Sequence, residues 1–188
     1  KIFTNNSNNN QETTVANTVT QEPQTQSGND NLVSLSNYSE TGVNVANKVR
    51  PSIVGITVEY SVNSIFYRNY TTNSTAKAEG SGIIISEDGY ILTNNHIVNT
   101  SSSSSYYEVG KANKVTVYLY NDETAYDAEI IGTDEQTDLA VIKIDKTGLT
   151  AAELGDSDSV QVGEFSMAIG NPLGMQSSVT AGMISAVN

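Results

Sequence analysis

The chain has no cysteine, no tryptophan and a single histidine, and it sets only nine basic residues against 21 acidic ones. Without cysteine, neither a disulfide framework nor a thiolate metal site can form, and redox chemistry gives no indication of compartment. One imidazole does not make the three-ligand protein set of a catalytic zinc, and no metal or other cofactor is expected. The formal charge of -12 argues against a phosphate-backbone partner or an anionic membrane surface, so nucleic-acid binding is set aside. No apolar run approaches membrane-spanning length. At 188 residues the chain is also short for a two-barrel all-β enzyme, which tends to need roughly 200 to 250 residues.

Large apolar residues are scarce in residues 1–42, where Asn, Gln, Ser and Thr dominate. Such a composition buries too little surface to offset the entropy of ordering, and this stretch reads as a disordered tether. The chain opens on Lys1 rather than Met, which reads as processing or trimming. Ile2-Phe3 then fits the end of an upstream anchor or signal segment, the only route to a membrane that the sequence suggests.

What remains is a succession of short strands. Val43, Val45, Ala46 and Val49 lie near helical spacing until Pro51 disfavours helix at Arg50, giving one or two turns. Val54, Ile56, Val58 and Tyr60 alternate with polar or small residues, as a half-buried strand requires. Residues 61–79 show no sustained period and read as a long surface loop, with Phe66, Tyr67 and Tyr70 packing on the chain's own barrel. Ser101 to Ser105 form a low-complexity loop. Val115, Val117 and Leu119, then Tyr126, Ala128 and Ile130, alternate on either side of the turn cluster Asn121-Asp122-Glu123-Thr124, which is a hairpin pattern. Glu164–Ile169 and 177–187 read as two further strands. The fold class is all-β, a barrel or sandwich.

The histidine stands at an informative place. Ile83-Ile84-Ile85 reads as a buried strand, Asp88-Gly89 as a type I′ hairpin turn, and Tyr90 to Thr93 as the returning strand. Asn94 and Asn95 leave the sheet, so His96 sits just past a strand end. Asp138, which opens the apolar strand Leu139-Ala140-Val141-Ile142-Lys143-Ile144, is expected to be partly buried. A strand-end histidine followed by such an acid is the base and orienter pair of a Ser-His-Asp triad, in which the carboxylate accepts from imidazole Nδ1–H and fixes the tautomer. Their heavy atoms should then lie about 2.6 to 3.2 Å apart.

Several motifs together resemble the HtrA-like (DegP-like) branch of trypsin-fold serine endopeptidases. They are Gly80-Ser81-Gly82; Ser86-Glu87-Asp88-Gly89-Tyr90-Ile91-Leu92-Thr93-Asn94-Asn95-His96-Ile97-Val98; Thr137-Asp138-Leu139-Ala140-Val141-Ile142-Lys143; Leu154-Gly155-Asp156-Ser157-Asp158; Ala168-Ile169-Gly170-Asn171-Pro172-Leu173-Gly174; and Ser178-Val179-Thr180-Ala181-Gly182-Met183-Ile184-Ser185. The resemblance covers residues 43–188. It implies a trypsin-like antiparallel β-barrel, the first of two, over 43–160, with a crossover and the opening strand of the second over 161–188. It further implies a cell-envelope protease acting on unfolded or misfolded proteins, commonly trimeric through N-terminal contacts and often followed by a PDZ domain. His96 becomes the general base and Asp138 its orienting acid.

The family's nucleophile lies in Gly-Asn-Ser-Gly-Gly, a motif these 188 residues do not contain, and the catalytic serine is expected beyond Asn188. Ser81, between two glycines, precedes the histidine and opens a buried strand; Ser166 lacks the flanking glycines of a nucleophile elbow. The chain alone is therefore expected to be inactive. The alternative is a non-catalytic binding or scaffolding barrel that keeps the same motifs.

Overall fold

Val54, Ile56, Val58 and Tyr60 are each at most 2% exposed, and the strand they seed runs from Ile53 to Phe66. Branched side chains at every second residue suit a pleated strand with one face against a core. The computed structural model describes residues 35–66, 70–99, 103–104, 107–171 and 178–187, all within the unit Ser34–Asn188. In chain order the elements are α1 (Leu35–Val49), a 3₁₀ turn (Arg50–Ser52), β1 (Ile53–Phe66), β2 (Tyr70–Ile84), β3 (Tyr90–Asn94), α2 (Asn95–Val98), β4 (Ser103–Ser104), β5 (Tyr107–Tyr118), β6 (Ala125–Asp134), β7 (Leu139–Ile144), a second 3₁₀ turn (Ser157–Ser159), β8 (Phe165–Gly170) and β9 (Ser178–Met183).

The main sheet runs β1-β2-β3-β7-β6-β5, and β5 pairs back onto β1. Six antiparallel strands thus close into a barrel, which removes the open edges that a sheet otherwise exposes. Its interior is filled by Val54, Ile56, Val58 and Tyr60 from β1, Ile84 from β2, Ile91 from β3, Val115 and Val117 from β5, and Ala140, Ile142 and Ile144 from β7, with Val98 of α2 closing one end. Each fully buried aliphatic side chain contributes about 1.5 to 3 kcal/mol. Gly82 lets the strands approach, because a Cβ there would lie 2.7 Å from Ile91 Cγ2 and 2.9 Å from Ile56 Cδ1.

Four local expectations are corrected. The one or two turns from Val43 are the end of a 15-residue helix that begins at Leu35, inside the stretch read as tether. Gly42, Val45, Ala46 and Val49 form its half-buried stripe while Val43 is 56% exposed. Residues 61–79 are mostly strand rather than loop: β1 and β2 pair in unbroken register from Ile53↔Ile83 to Phe66↔Tyr70. The outer part of that hairpin is held by backbone pairing, which leaves no apolar alternation to read. The turn after β2 is not type I′, since Gly89 has φ 103 but Asp88 is not in the left-handed region. It is a wider loop with Ile85 N–H donating to Tyr90 O and Gly89 N–H to Ser86 O. Finally, Ser103 and Ser104 pair with β5. The rest of the serine run, Tyr67 and most of the tether lie outside the described residues.

β8 and β9 form a separate two-stranded sheet, in register from Phe165↔Met183 to Gly170↔Ser178. β9 is exposed throughout. The helix α1 meets β8 by the edge of the Tyr38 ring on Phe165, with centroids 4.9 Å apart.

Candidate active site

β3 ends at Asn94, and the chain turns at once into the single-turn helix α2, which carries His96. The first N–H groups of any helix lack intrahelical acceptors. Asn94, in the capping position, makes no side-chain cap bond. The acceptors come instead from Asp138: Asn95 N–H donates to Asp138 O at 3.0 Å, and His96 N–H donates to Asp138 Oδ1 at 3.0 Å. Antiparallel pairing of Asn94 with Leu139 delivers Asp138 to this point. Its φ of 56 places the backbone in the left-handed region, which Asp and Asn tolerate better than most side chains.

The second carboxylate oxygen takes the imidazole. His96 Nδ1 lies 2.8 Å from Asp138 Oδ2, inside the range expected from the sequence. Asn94 Nδ2 donates to Asp138 O and Asp138 Oδ2, both at 3.2 Å. The His96 backbone N–H, and then the ring, hold the Asp138 carboxyl below the usual carboxylate range against a smaller opposing effect of desolvation. An ionised carboxylate only accepts, so the neutral ring carries its proton on Nδ1 and keeps the Nε2 lone pair free. The side chains of His96 and Asp138 are 64% and 44% exposed, so the pair stands at the barrel rim, open to an incoming group.

The far end of α2 is anchored as firmly. The buried Tyr60 hydroxyl donates to Ile97 O, and Ile97 lies over Gly80, where a Cβ would be 2.9 Å from Ile97 Cδ1. Just upstream of the histidine, Thr93 Oγ1 donates to Ser81 O at 2.8 Å. The Ser81 hydroxyl accepts from Asn171 N–H at 2.7 Å, which gives it a bracing role between β2 and the end of β8. Ser166 lies within β8. Among the described residues no three His, Cys, Asp or Glu side chains come together to hold a metal ion.

Sequence reasoning brought His96 and Asp138 together but missed Asn94. Its contacts depend on the backbone of a residue 44 positions away, for which the sequence carries no periodic or spacing signal.

The sequence model described as a trypsin-like peptidase domain matches residues 80–188. The protein named "Probable periplasmic serine endoprotease DegP-like" of Chlamydia muridarum is 48% identical over 107 residues, covering 57% of this chain and 19% of its own length. Its namesake in Pseudomonas fulva is 44% identical over 111 residues, covering 59% of this chain and 21% of its own length. Among solved structures, a variant of the HtrA-type protease AlgW with decapeptide has a TM-score of 0.66 at 30% identity, over 77% of this chain and 44% of that one. The chain spans about a fifth of the length of the curated relatives it matches. The matched stretch holds both His96 and Asp138 and exceeds half of the chain, and the chain therefore belongs to the trypsin-like peptidase domain family, on its HtrA-like branch.

Proposed function

We propose that this chain supplies the general base and orienting acid of an HtrA-like serine endopeptidase that degrades unfolded or misfolded proteins outside the cytoplasm. The observation that carries the reading is the bond between His96 Nδ1 and Asp138 Oδ2 at 2.8 Å. With Nδ1–H held by the carboxylate, Nε2 takes the proton of a serine hydroxyl as its oxygen attacks the scissile carbonyl, and later returns that proton to the leaving amine. Asp138 stays ionised and stabilises the imidazolium formed in between. The relatives named as periplasmic endoproteases support the location and the protein substrate.

The nucleophile is assigned to a serine outside these 188 residues, which contain no Gly-Asn-Ser-Gly-Gly. The environment of Ser81, the serine between two glycines, supports this: its hydroxyl is engaged by Asn171 N–H. The separate β8–β9 sheet is read as the start of a second barrel that would present that serine, and the 188-residue chain by itself as inactive. Assembly as a homo-oligomer through the N-terminal segment belongs to the same reading.

The test uses the protein as its gene encodes it. Incubated with a permanently unfolded polypeptide and with the folded form of the same polypeptide, it should cleave the former much faster, and His96→Ala should abolish cleavage. Cleavage that persists in His96→Ala would remove His96 from the mechanism; absence of cleavage by the unmodified protein would favour a binding or scaffolding barrel.

A further inference from the structure

We infer that Asn94 is a positioning residue for this site, one that fixes the Asp138 carboxylate in the orientation from which it holds the imidazole. The inference rests on the protease reading above and deepens it. A side-chain amide nitrogen has two hydrogens, and Asn94 Nδ2 has two acceptors on the same residue, the Asp138 carbonyl and Asp138 Oδ2, each at 3.2 Å. One amide thus ties the main chain of Asp138 to its own carboxylate. The torsions between them are closed into a ring and cannot rotate without breaking a bond.

The remaining contacts show what that ring accomplishes. Oδ1 is fixed by His96 N–H at 3.0 Å. Oδ2 receives His96 Nδ1 at 2.8 Å and Asn94 Nδ2 at 3.2 Å, one donor for each lone pair. The carbonyl takes Asn95 N–H as well as Asn94, which holds the left-handed backbone at φ 56. The carboxylate is nearly half exposed, and without Asn94 water would compete for Oδ2 and let the group swing. A mobile carboxylate holds Nδ1–H only part of the time, and a base whose tautomer fluctuates is available for only part of each encounter. Asn94 touches neither a substrate nor the reacting nitrogen, and acts through Asp138.

Few other charges bear on the pair. Among the described residues the Asp138 carboxylate forms an ion pair with His96 alone. Asp134, at the end of β6, is turned to Gln136 N–H and the Thr137 hydroxyl. A charge introduced at position 94 would therefore act on His96 with little local compensation.

Two variants separate positioning from mere support of the fold. Asn94→Leu removes both donors. Asn94→Asp keeps size and shape but sets a carboxylate against a carboxylate. In the gene-encoded protein, both should lower kcat about 10- to 100-fold, the usual worth of a hydrogen bond to a charged group, with KM changed by no more than about twofold. The added negative charge of Asn94→Asp raises the imidazole pKa, so the acid limb of its kcat/KM profile should move to higher pH, and that of Asn94→Leu much less. The second readout needs no activity: in the 188-residue chain His96 is the only histidine, so imidazole nitrogen NMR reports it alone. The unmodified chain should show the proton on Nδ1, and both variants should shift population to the Nε2–H tautomer. Wild-type kcat, pH profile and imidazole spectrum in both variants would overturn the assignment. If the unmodified protein has no protease activity, the protease reading falls, and the imidazole spectrum still decides whether Asn94 holds the pair.

Discussion

Asp138→Asn is expected to lower kcat by about 10⁴-fold while the protein keeps its fold, a loss of the size seen when a triad carboxylate becomes a carboxamide. The substitution is isosteric, and Asn tolerates the left-handed backbone that Asp138 adopts at φ 56. Its carbonyl oxygen still accepts from His96 N–H, so the start of α2 remains capped. What changes is the atom facing Nδ1: an acceptor becomes an NH₂ donor, the ring must place its proton on Nε2, and the lone pair that serves as base is lost. Circular dichroism should match the unmodified protein near neutral pH, with the thermal midpoint lowered because Asn94 Nδ2 and His96 Nδ1 lose the ionised oxygen they share, while turnover collapses.

Acid titration gives the same substitution a second signature. The folded-state pKa of Asp138 lies below its ordinary value because the His96 backbone N–H and the His96 ring stabilise the ionised form. The stability this contributes is complete above the unfolded-state pKa, about 3.9, and is lost as pH falls through the lower folded-state value. Asp138→Asn should therefore remove part of the acid sensitivity below about pH 4.

Gly89→Ala is expected to do the reverse, costing about 3 to 5 kcal/mol of stability through strain and backbone overlap without touching the chemistry of a molecule that remains folded. Gly89 has φ 103, and a Cβ there would stand 2.4 Å from Ile144 O and 3.0 Å from Lys146 O. Both obstacles are backbone and cannot swing away. The local chain is also tied down, since Gly89 O accepts from Ile144 N–H and Glu87 O accepts from Leu149 N–H. Gly132→Ala is the control: it lacks positive φ, and no atom lies within 4 Å of the added Cβ. It should stay within about 0.5 kcal/mol. Urea midpoints of the two variants measure the difference, and equal midpoints would show that the loop relaxes around the methyl group.

Much of the barrel was legible because its interior imposes a period. Val54, Ile56, Val58 and Tyr60 alternate since one face of β1 is in the core, and Val115 and Val117 do so for the same reason. The period stops where the core stops. Beyond Ser61, β1 and β2 stay paired to Phe66 and Tyr70, and backbone bonds, which run the length of that arm, leave no mark on side-chain identity. The helix α1 was read short for a related reason. Its first half meets β8 through Tyr38, a sparse contact set among polar residues whose composition resembles that of a tether. At the site, His96 and Asp138 were recognisable as the residue types of a base and its orienting acid, each beside the end of a strand. The role of Asn94 was not recognisable, because it is written in the left-handed backbone of Asp138.

The most direct measurement is covalent labelling of the gene-encoded protein by a fluorophosphonate, which reacts with a serine only where a base has activated it. The unmodified protein should be labelled at one serine, and His96→Ala and Asp138→Asn should be labelled orders of magnitude more slowly. Labelling of His96→Ala at the unmodified rate would contradict the assignment of His96 and Asp138 as the base and orienting acid of a serine endopeptidase.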